Sequence, residues 1–533
     1  MTRNPPRSHR LFDLIGLATV MAVTLAVTLD QLTQLDIRFG DETIYLEAGL
    51  NPGSLQPLAR SSALYTAFYR ALSFFEHDAE RMYFLSWVTL TVALPVLLYA
   101  LARKAGAPTW AAVLAATVWA CSGAVIVWPF VSKLATAVIA VGAIVALSRR
   151  DTFTRLGVLT VTVVAAGYAR PELVTAGWMM AAGCVVYGAL TARRSPRRLV
   201  AAGAIALSTL GLALSFGTPF VDNRSFEAFE QHFALNVADA RELHDEDAEP
   251  LDPWNDPSST VASAFGDTQS VGGALRANPR AFAWHVSRNV KNLPNAVAEV
   301  VKPIPTLAPP LKRLSEVAIF ALAALGIGGL VTRARRGRIR ASLWPPLLGV
   351  IGVSALAAAL TVYPRAHYLI PTCFLVLTGA AVACGELRRA WSLDSRVAPA
   401  LAFATLLMTG QSFAPKPSDA RVQEGRATIA ALRELDIPHG TTFLEADIGR
   451  GAYVGRSNVS IGPWEKQDES LFEFMERRGV DVAVIDARLR ADPRFAEELA
   501  DIGDLEEAAD EEGYELIEVP GTSTVLLVRE IDA

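Results

Sequence analysis

The sequence predicts a polytopic α-helical membrane protein, with about eleven transmembrane helices and a small α/β domain at its C-terminal end. Three observations lead there. The 533 residues are 52% hydrophobic and 19% charged, with a mean hydropathy of +0.30, which fits a membrane protein with sizeable water-facing parts. Apolar runs of spanning length recur between residues 11 and 413, and every second connection between them is short and basic. From about residue 414 the pattern changes to an acidic, soluble mixture of helix-like and strand-like segments.

The apolar runs lie near residues 11–29, 82–101, 110–128, 131–148, 156–169, 173–191, 199–218, 315–332, 343–362, 367–385 and 397–413. Each approaches the roughly 20 residues that a helix needs to cross a bilayer. The fifth is short and ends in Tyr168-Ala169-Arg170-Pro171-Glu172. Basic residues then set the orientation. Arg3, Arg7 and Arg10 precede the first run, and Arg103 and Lys104 follow the second. Arg149 and Arg150, Arg193 and Arg194, Arg335 and Arg336, and Arg388 and Arg389 mark the later basic connections. These face the cytoplasm, so an odd number of crossings leaves the C-terminus outside. The first run has the charge pattern of a signal peptide, but no small-x-small cleavage site follows it, and it reads as a retained anchor. The expected location is the plasma (inner) membrane.

The long connections, about 30–81 and 219–314, fall outside with the 414–533 domain. In the first, Leu64, Phe68, Ala71, Leu72 and Phe75 recur at helical spacing, a stripe suited to the headgroup plane or to packing on its own domain. The second contains "LHDEDAEPLDPWNDP", which reads as a solvated loop. In the tail, "RVQEGRATIAALREL" is helix-like and "TTFLEA", "VDVAVID" and "STVLLVR" are strand-like, with a hairpin expected through Pro520-Gly521. Cys121, Cys184, Cys373 and Cys384 all lie in apolar runs, as buried free thiols do. There is no GxGxxG, no P-loop and no Cys/His ligand set. No nucleic-acid partner is expected.

Charged residues at outer helix ends are where chemistry is to be sought. Asp41 and Glu42, in "RFGDETIYLEAGL", suit a helix N-terminus. They equally suit a general base or a metal-binding pair. Arg170 and Glu172 flank a proline that can open a helix, and Arg170 either snorkels or binds an anion. Lys133, in "WPFVSKLA", and Arg365, His367 and Tyr368, in "YPRAHYLIP", sit at outer turns. They suit an interfacial belt or phosphate donors. Glu230 and His232 lie on "RSFEAFEQHFALN", whose Phe226, Phe229 and Phe233 share one side. Acids and cations at the ends of several helices are the combination a phosphate leaving group and an acceptor hydroxyl require.

The pattern resembles the GT-C superfamily of polytopic glycosyltransferases that use polyprenyl-phosphate sugars. "GDETIYLEAG" looks like its acidic motif in the first outer loop, "YARPE" is similar to an Arg-Pro-Glu turn in bacterial members, and "YPRAHYLIP" resembles a Pro-x-x-Tyr-Leu element. In topology and soluble tail the chain is similar to bacterial relatives of protein O-mannosyltransferases and aminoarabinose transferases, of glycosyltransferase family 39 type. The resemblance implies a GT-C-like transmembrane domain over 1–413. It implies an inverting transfer in which Asp41 deprotonates an acceptor hydroxyl, supported by Glu42. Arg170, Lys133, Arg365 and His367 would then hold the leaving phosphate, with Glu172, Tyr368, His232 and Glu230 against substrate. Where the family pattern has Arg directly before Tyr, this chain has His367, with Arg365 two residues earlier. A metal, if used, would be Mg or Mn on Asp41 and Glu42. Partners would be the lipid-linked sugar donor, membrane lipids and a glycan, lipid or protein acceptor. The other readings are a transporter or flippase of a lipid-linked or anionic substrate, and a non-catalytic envelope assembly protein.

Overall fold

The computed structural model describes residues 7–51, 57–191, 196–217, 224–242, 251, 253–254, 256–307, 309–335, 344–391, 423–435, 437–455 and 458–529. Its helices, in chain order, are α1 (Arg7–Leu32), α2 (Asp41–Leu50), α3 (Pro57–Ser61), α4 (Ala63–Leu72), α5 (Ala79–Lys104), α6 (Thr109–Ala120), α7 (Val131–Ser148), α8 (Thr152–Gly167), α9 (Glu172–Thr191) and α10 (Pro196–Phe216). They continue as α11 (Arg224–Glu242), α12 (Pro257–Phe265), α13 (Val271–Ala277), α14 (Pro279–Val301), α15 (Pro309–Arg335), α16 (Trp344–Thr361) and α17 (Ala366–Trp391). The C-terminal region adds α18 (Glu424–Glu434), β1 (Thr442–Glu445), α19 (Gly451–Val454), β2 (Val459–Ile461), α20 (Leu471–Arg478), β3 (Val482–Ile485), α21 (Ala487–Ala491), α22 (Ile502–Glu511), β4 (Tyr514–Glu518) and β5 (Val525–Arg529).

The protein is a polytopic α-helical membrane protein with a small C-terminal sheet domain. Among the described residues six helices are long and apolar enough to cross a bilayer: Leu11–Leu32, Ala79–Lys104, Val131–Ser148, Glu172–Thr191, Arg198–Phe216 and Ala366–Gly385. Thr109–Ala120, Thr152–Gly167, Ser315–Gly328 and Gly349–Thr361 are shorter apolar helices. They coincide with the expected third, fifth, eighth and ninth runs. The eleventh run, 397–413, lies outside the described residues, as does most of the acidic stretch after Glu242. All four cysteines are buried free thiols.

The chain divides into two compact units. The first comprises the described residues of Met1–Gln31, Pro57–Tyr65 and Trp87–Ala414. Here α17 packs against α6, α7, α14, α15 and α16, so the turn that opens it is held from several sides. The fifth predicted run ends as α8, and α9 begins at Glu172 straight after Pro171, where a missing N–H costs nothing.

The second unit comprises the described residues of Leu32–Gln56, Thr66–Ser86 and Pro415–Ala533, so most of the first outer segment belongs with the tail. Its sheet runs β2-β1-β3-β5-β4. β1 pairs in parallel with β2 and β3, whereas β5 is antiparallel to β3 and β4. The β4–β5 hairpin turns through Pro520 and Gly521 as expected. The Asp36 carboxylate accepts from the backbone N–H groups of Gly425 (2.9 Å) and Arg426 (3.0 Å), at the start of α18. Arg433 on that helix pairs with Asp78 (2.8 Å) and Glu80 (3.1 Å).

The face that α4 buries differs from the expected stripe. Tyr65, Tyr69 and Leu72 are buried, while Leu64 and Phe68 are intermediate and Ala71 and Phe75 exposed. Phe74 and Phe75 are 75% and 85% exposed. The tyrosines fit an inward face because each hydroxyl can find a partner there, as Tyr69 does with Glu42.

Candidate active site

The acidic pair stands at the start of α2. Gly40 is the N-cap, with φ 85°, a left-handed conformation that glycine adopts without a Cβ clash. Asp41 and Glu42 fill the first helical turn, where the exposed N–H groups and the helix dipole favour negative charge. Their environments differ. Asp41 is partly exposed, whereas Glu42 is fully buried and accepts a 2.5 Å hydrogen bond from the Tyr69 hydroxyl. A buried carboxylate needs such donors. One acid is thus open to a reactant and its neighbour is locked into the protein.

The other candidate residues gather in the first unit. Arg170, in the turn before α9, pairs with Glu172 at 2.7 Å. Its guanidinium lies 4.7 Å from the Tyr368 ring centre. The His367 ring lies beside that of Tyr368, 4.4 Å between centres. His367 is buried, bonds to the backbone of Trp128, and has Arg170, Arg365 and His232 within electrostatic reach. Arg365 lies over Trp254 at 5.0 Å. His232 stacks on Tyr363 at 5.2 Å and meets the edge of Trp254 at 5.6 Å. Its Nδ1 faces the Ala228 carbonyl, while its Nε2 is buried with no hydrogen-bond partner among the described residues. Arg170, Glu172, His232, Arg365, His367 and Tyr368 therefore form one constellation drawn from three stretches of the chain.

Lys133 is placed differently. Its buried ammonium donates to the Val125 carbonyl and lies 4.6 Å from the Phe130 ring centre. Glu230 is partly exposed on α11. Burial, and next the negative charge of Glu227, raise its carboxyl pKa.

Residues that the sequence did not announce complete the turn into α17. The His285 Nε2 meets the Val362 carbonyl at 3.0 Å, and Asn289 Nδ2 donates to the Leu360 carbonyl at 3.0 Å. Asn236 Nδ2 lies 2.9 Å from His285 Nδ1, and Asn289 Nδ2 lies 3.1 Å from its Nε2. Together they anchor the end of α16, from which Tyr363 and Arg365 follow. The only signal was polar residues on amphipathic helices, which most often marks a solvated face. Trp254, from the stretch read as a solvated loop, is likewise engaged.

Burial, then the charge of Arg365, lowers the His232 pKa to about 3. Burial lowers that of His285 to about 4. Both are neutral in the folded protein at pH 6.5 and somewhat below, whereas in the unfolded chain they gain protons as pH falls through about 6.5. The unfolded state then binds more protons, so stability falls with falling pH. The melting temperature is expected to drop between pH 6.5 and about 4, and His285→Gln, which removes one titrating group, to flatten that slope. An unchanged slope would show that His285 is not held neutral.

Among the described residues no group of three or more His, Cys, Asp or Glu side chains gathers to hold a metal ion. No protein-family model matches the chain, and no curated protein matches it. Among solved structures it is similar to the crystal structure of the Archaeoglobus fulgidus oligosaccharyltransferase in the apo form, at 13% identity and a TM-score of 0.39, over 98% of this chain and 75% of that one.

Proposed function

We propose that this protein is an inverting glycosyltransferase of the GT-C kind, taking a sugar from a polyprenyl-phosphate donor at the outer face of the plasma membrane. The Asp41 carboxylate takes the proton of an acceptor hydroxyl. The acceptor oxygen attacks the anomeric carbon, the bond from that carbon to the phosphate oxygen breaks, and polyprenyl phosphate leaves with the bonding pair. A single displacement inverts the anomeric centre. Glu42, locked by Tyr69, fixes the turn that carries Asp41.

The observation that carries this reading is the convergence of Arg170, Arg365 and His367 at the start of α17. Two guanidiniums around a buried imidazole suit a phosphate whose charge grows as the sugar departs. Arg170 is partly neutralised by Glu172, whereas Arg365 lies over the Trp254 ring at 5.0 Å. Lys133 spends one of its three N–H donors on the Val125 carbonyl. His232, with its buried orphan Nε2, and Tyr368 and Glu230 are the groups for the sugar. Asp41 and Glu42 offer two carboxylates to an Mg or Mn ion, with one of them already engaged by Tyr69. No step above requires the ion. The acceptor is a glycan, lipid or protein hydroxyl.

The test uses vesicles carrying the full chain and a panel of radiolabelled polyprenyl-phosphate hexoses and pentoses. Covalent transfer of label to envelope acceptors is the expected result. Movement of the lipid-linked sugar across the bilayer with no covalent product would overturn the proposal in favour of a flippase.

A further inference from the structure

The second unit holds a device on either side of the acidic pair. Adjacent parallel strands β1 and β3 end at Glu445 and immediately before Asp486. Glu445 is fully buried. Its carboxylate accepts from the backbone N–H groups of Gly449 (2.6 Å) and Arg450 (3.0 Å) and from the Ser460 hydroxyl (2.5 Å). The Arg450 side chain returns to Glu445 at 3.6 Å and to Asp486 at 2.5 Å. Asp486 is itself fixed, accepting from the N–H groups of Arg488 (3.0 Å) and Leu489 (2.9 Å). The loop from Ala446 to Arg450 is therefore wound round a buried, fully engaged carboxylate.

What that loop touches is the catalytic turn. The Ile448 carbonyl accepts from the Gly40 N–H at 3.1 Å. Gly449, at φ 121°, lies so close to Thr43 that a Cβ there would stand 2.6 Å from its Cγ2. The Tyr453 and Thr43 hydroxyls share a 3.1 Å hydrogen bond. Arg450 covers the Phe39 ring at 4.6 Å, and Tyr453 meets its edge at 5.7 Å. Phe39, Gly40 and Thr43 thus bracket Asp41 and Glu42, and all three are gripped by residues 448–453.

We infer that the Glu445–Arg450 clasp of the C-terminal domain is a positioning element for Asp41 and Glu42, which makes that domain part of the catalytic apparatus. Its catalytic consequence rests on the assignment of Asp41 as base, but its mechanical consequence does not. Proton transfer demands a base held within hydrogen-bond reach of one hydroxyl, and a displacement near 1 Å can cost about 10²-fold in rate.

The test is Gly449→Ala in the full-length chain, read by amide hydrogen exchange and by transfer kinetics. Exchange across residues 38–46 is expected to rise about tenfold or more while β1 and β3 stay protected. The kcat for transfer is expected to fall at least about tenfold with little change in the KM for the lipid donor. Adding Thr43→Ser removes the methyl that the new Cβ meets and keeps the hydroxyl for Tyr453, so it should recover part of both effects. If Gly449→Ala unfolds the sheet, Glu445→Gln decides by the same two readouts. It keeps an acceptor for the N–H groups but removes the charge opposite Arg450. Unchanged exchange across 38–46, or raised exchange with wild-type kcat, overturns the inference. Full activity in Asp41→Asn would instead overturn the catalytic assignment and leave the exchange result standing.

Discussion

Asp41→Asn is expected to lower sugar transfer by about 10²–10⁴-fold while leaving the protein folded in the membrane, the loss usual for a positioned general base. The asparagine is isosteric and occupies the first turn of α2, where Asp41 is partly exposed, so the stability at stake is about the 0.3–1 kcal/mol of one charge at a helix N-terminus. The neighbouring substitution behaves otherwise. Glu42→Gln changes a fully buried group bonded to Tyr69, and should cost both activity and stability. Labelled transfer in membranes, with protein level measured in parallel, separates the two. Equal activity in Asp41→Asn and wild type would remove Asp41 from the chemistry.

The second large effect belongs to the cations. Arg365→Ala is expected to reduce kcat by about 10²–10³-fold, the range seen when one donor to a developing oxyanion is removed. It should also weaken binding of polyprenyl phosphate without affecting binding of the corresponding alcohol. Arg170→Ala should be worse for the protein as well as for the reaction. It leaves Glu172, whose side chain is only 15% exposed, without its partner, and orphaning one member of a buried pair costs about 3–5 kcal/mol. Discounted for the partial exposure here, the loss should fall at or below the low end of that range. The double variant Arg170→Ala, Glu172→Gln should recover the melting temperature but not the transfer. If the double variant regains transfer too, Arg170 serves the fold alone.

Much of the architecture was legible because it follows from local pattern. Run length and hydropathy marked the helices, Pro171 marked the start of α9, and short apolar, β-branched runs marked β1, β3 and β5. The position of Asp41 and Glu42 in a first helical turn was legible from Gly40. Their unequal fates were not, because burial of Glu42 depends on Tyr69, in a different helix. The clasp was hidden for the same reason. Thr43 and Tyr453 are 410 residues apart, and nothing local in "ADIGRG" announces a partner. Arg170, Arg365 and His367 were legible as polar residues at helix ends, and the structure puts Arg170 and His367 against the Tyr368 ring and Arg365 over Trp254. Lys133 looked equivalent in sequence, yet its ammonium is turned to the Val125 carbonyl. Side-chain direction at a tight turn is decided by packing that sequence spacing does not encode. On α4 periodicity found a stripe but left open whether it packs or faces out; Tyr65, Tyr69 and Leu72 are buried and Ala71 and Phe75 exposed.

The most direct measurement is made on the purified full-length protein in liposomes, supplied with radiolabelled polyprenyl-phosphate sugars and an envelope acceptor fraction. Released polyprenyl phosphate and glycosylated acceptor are counted together. The account predicts one polyprenyl phosphate released per sugar transferred, an inverted anomeric centre in the product, and loss of both signals in Asp41→Asn. Intact donor and unglycosylated acceptor across the whole panel of hexoses and pentoses, with the protein folded and the lipid bound, would contradict it.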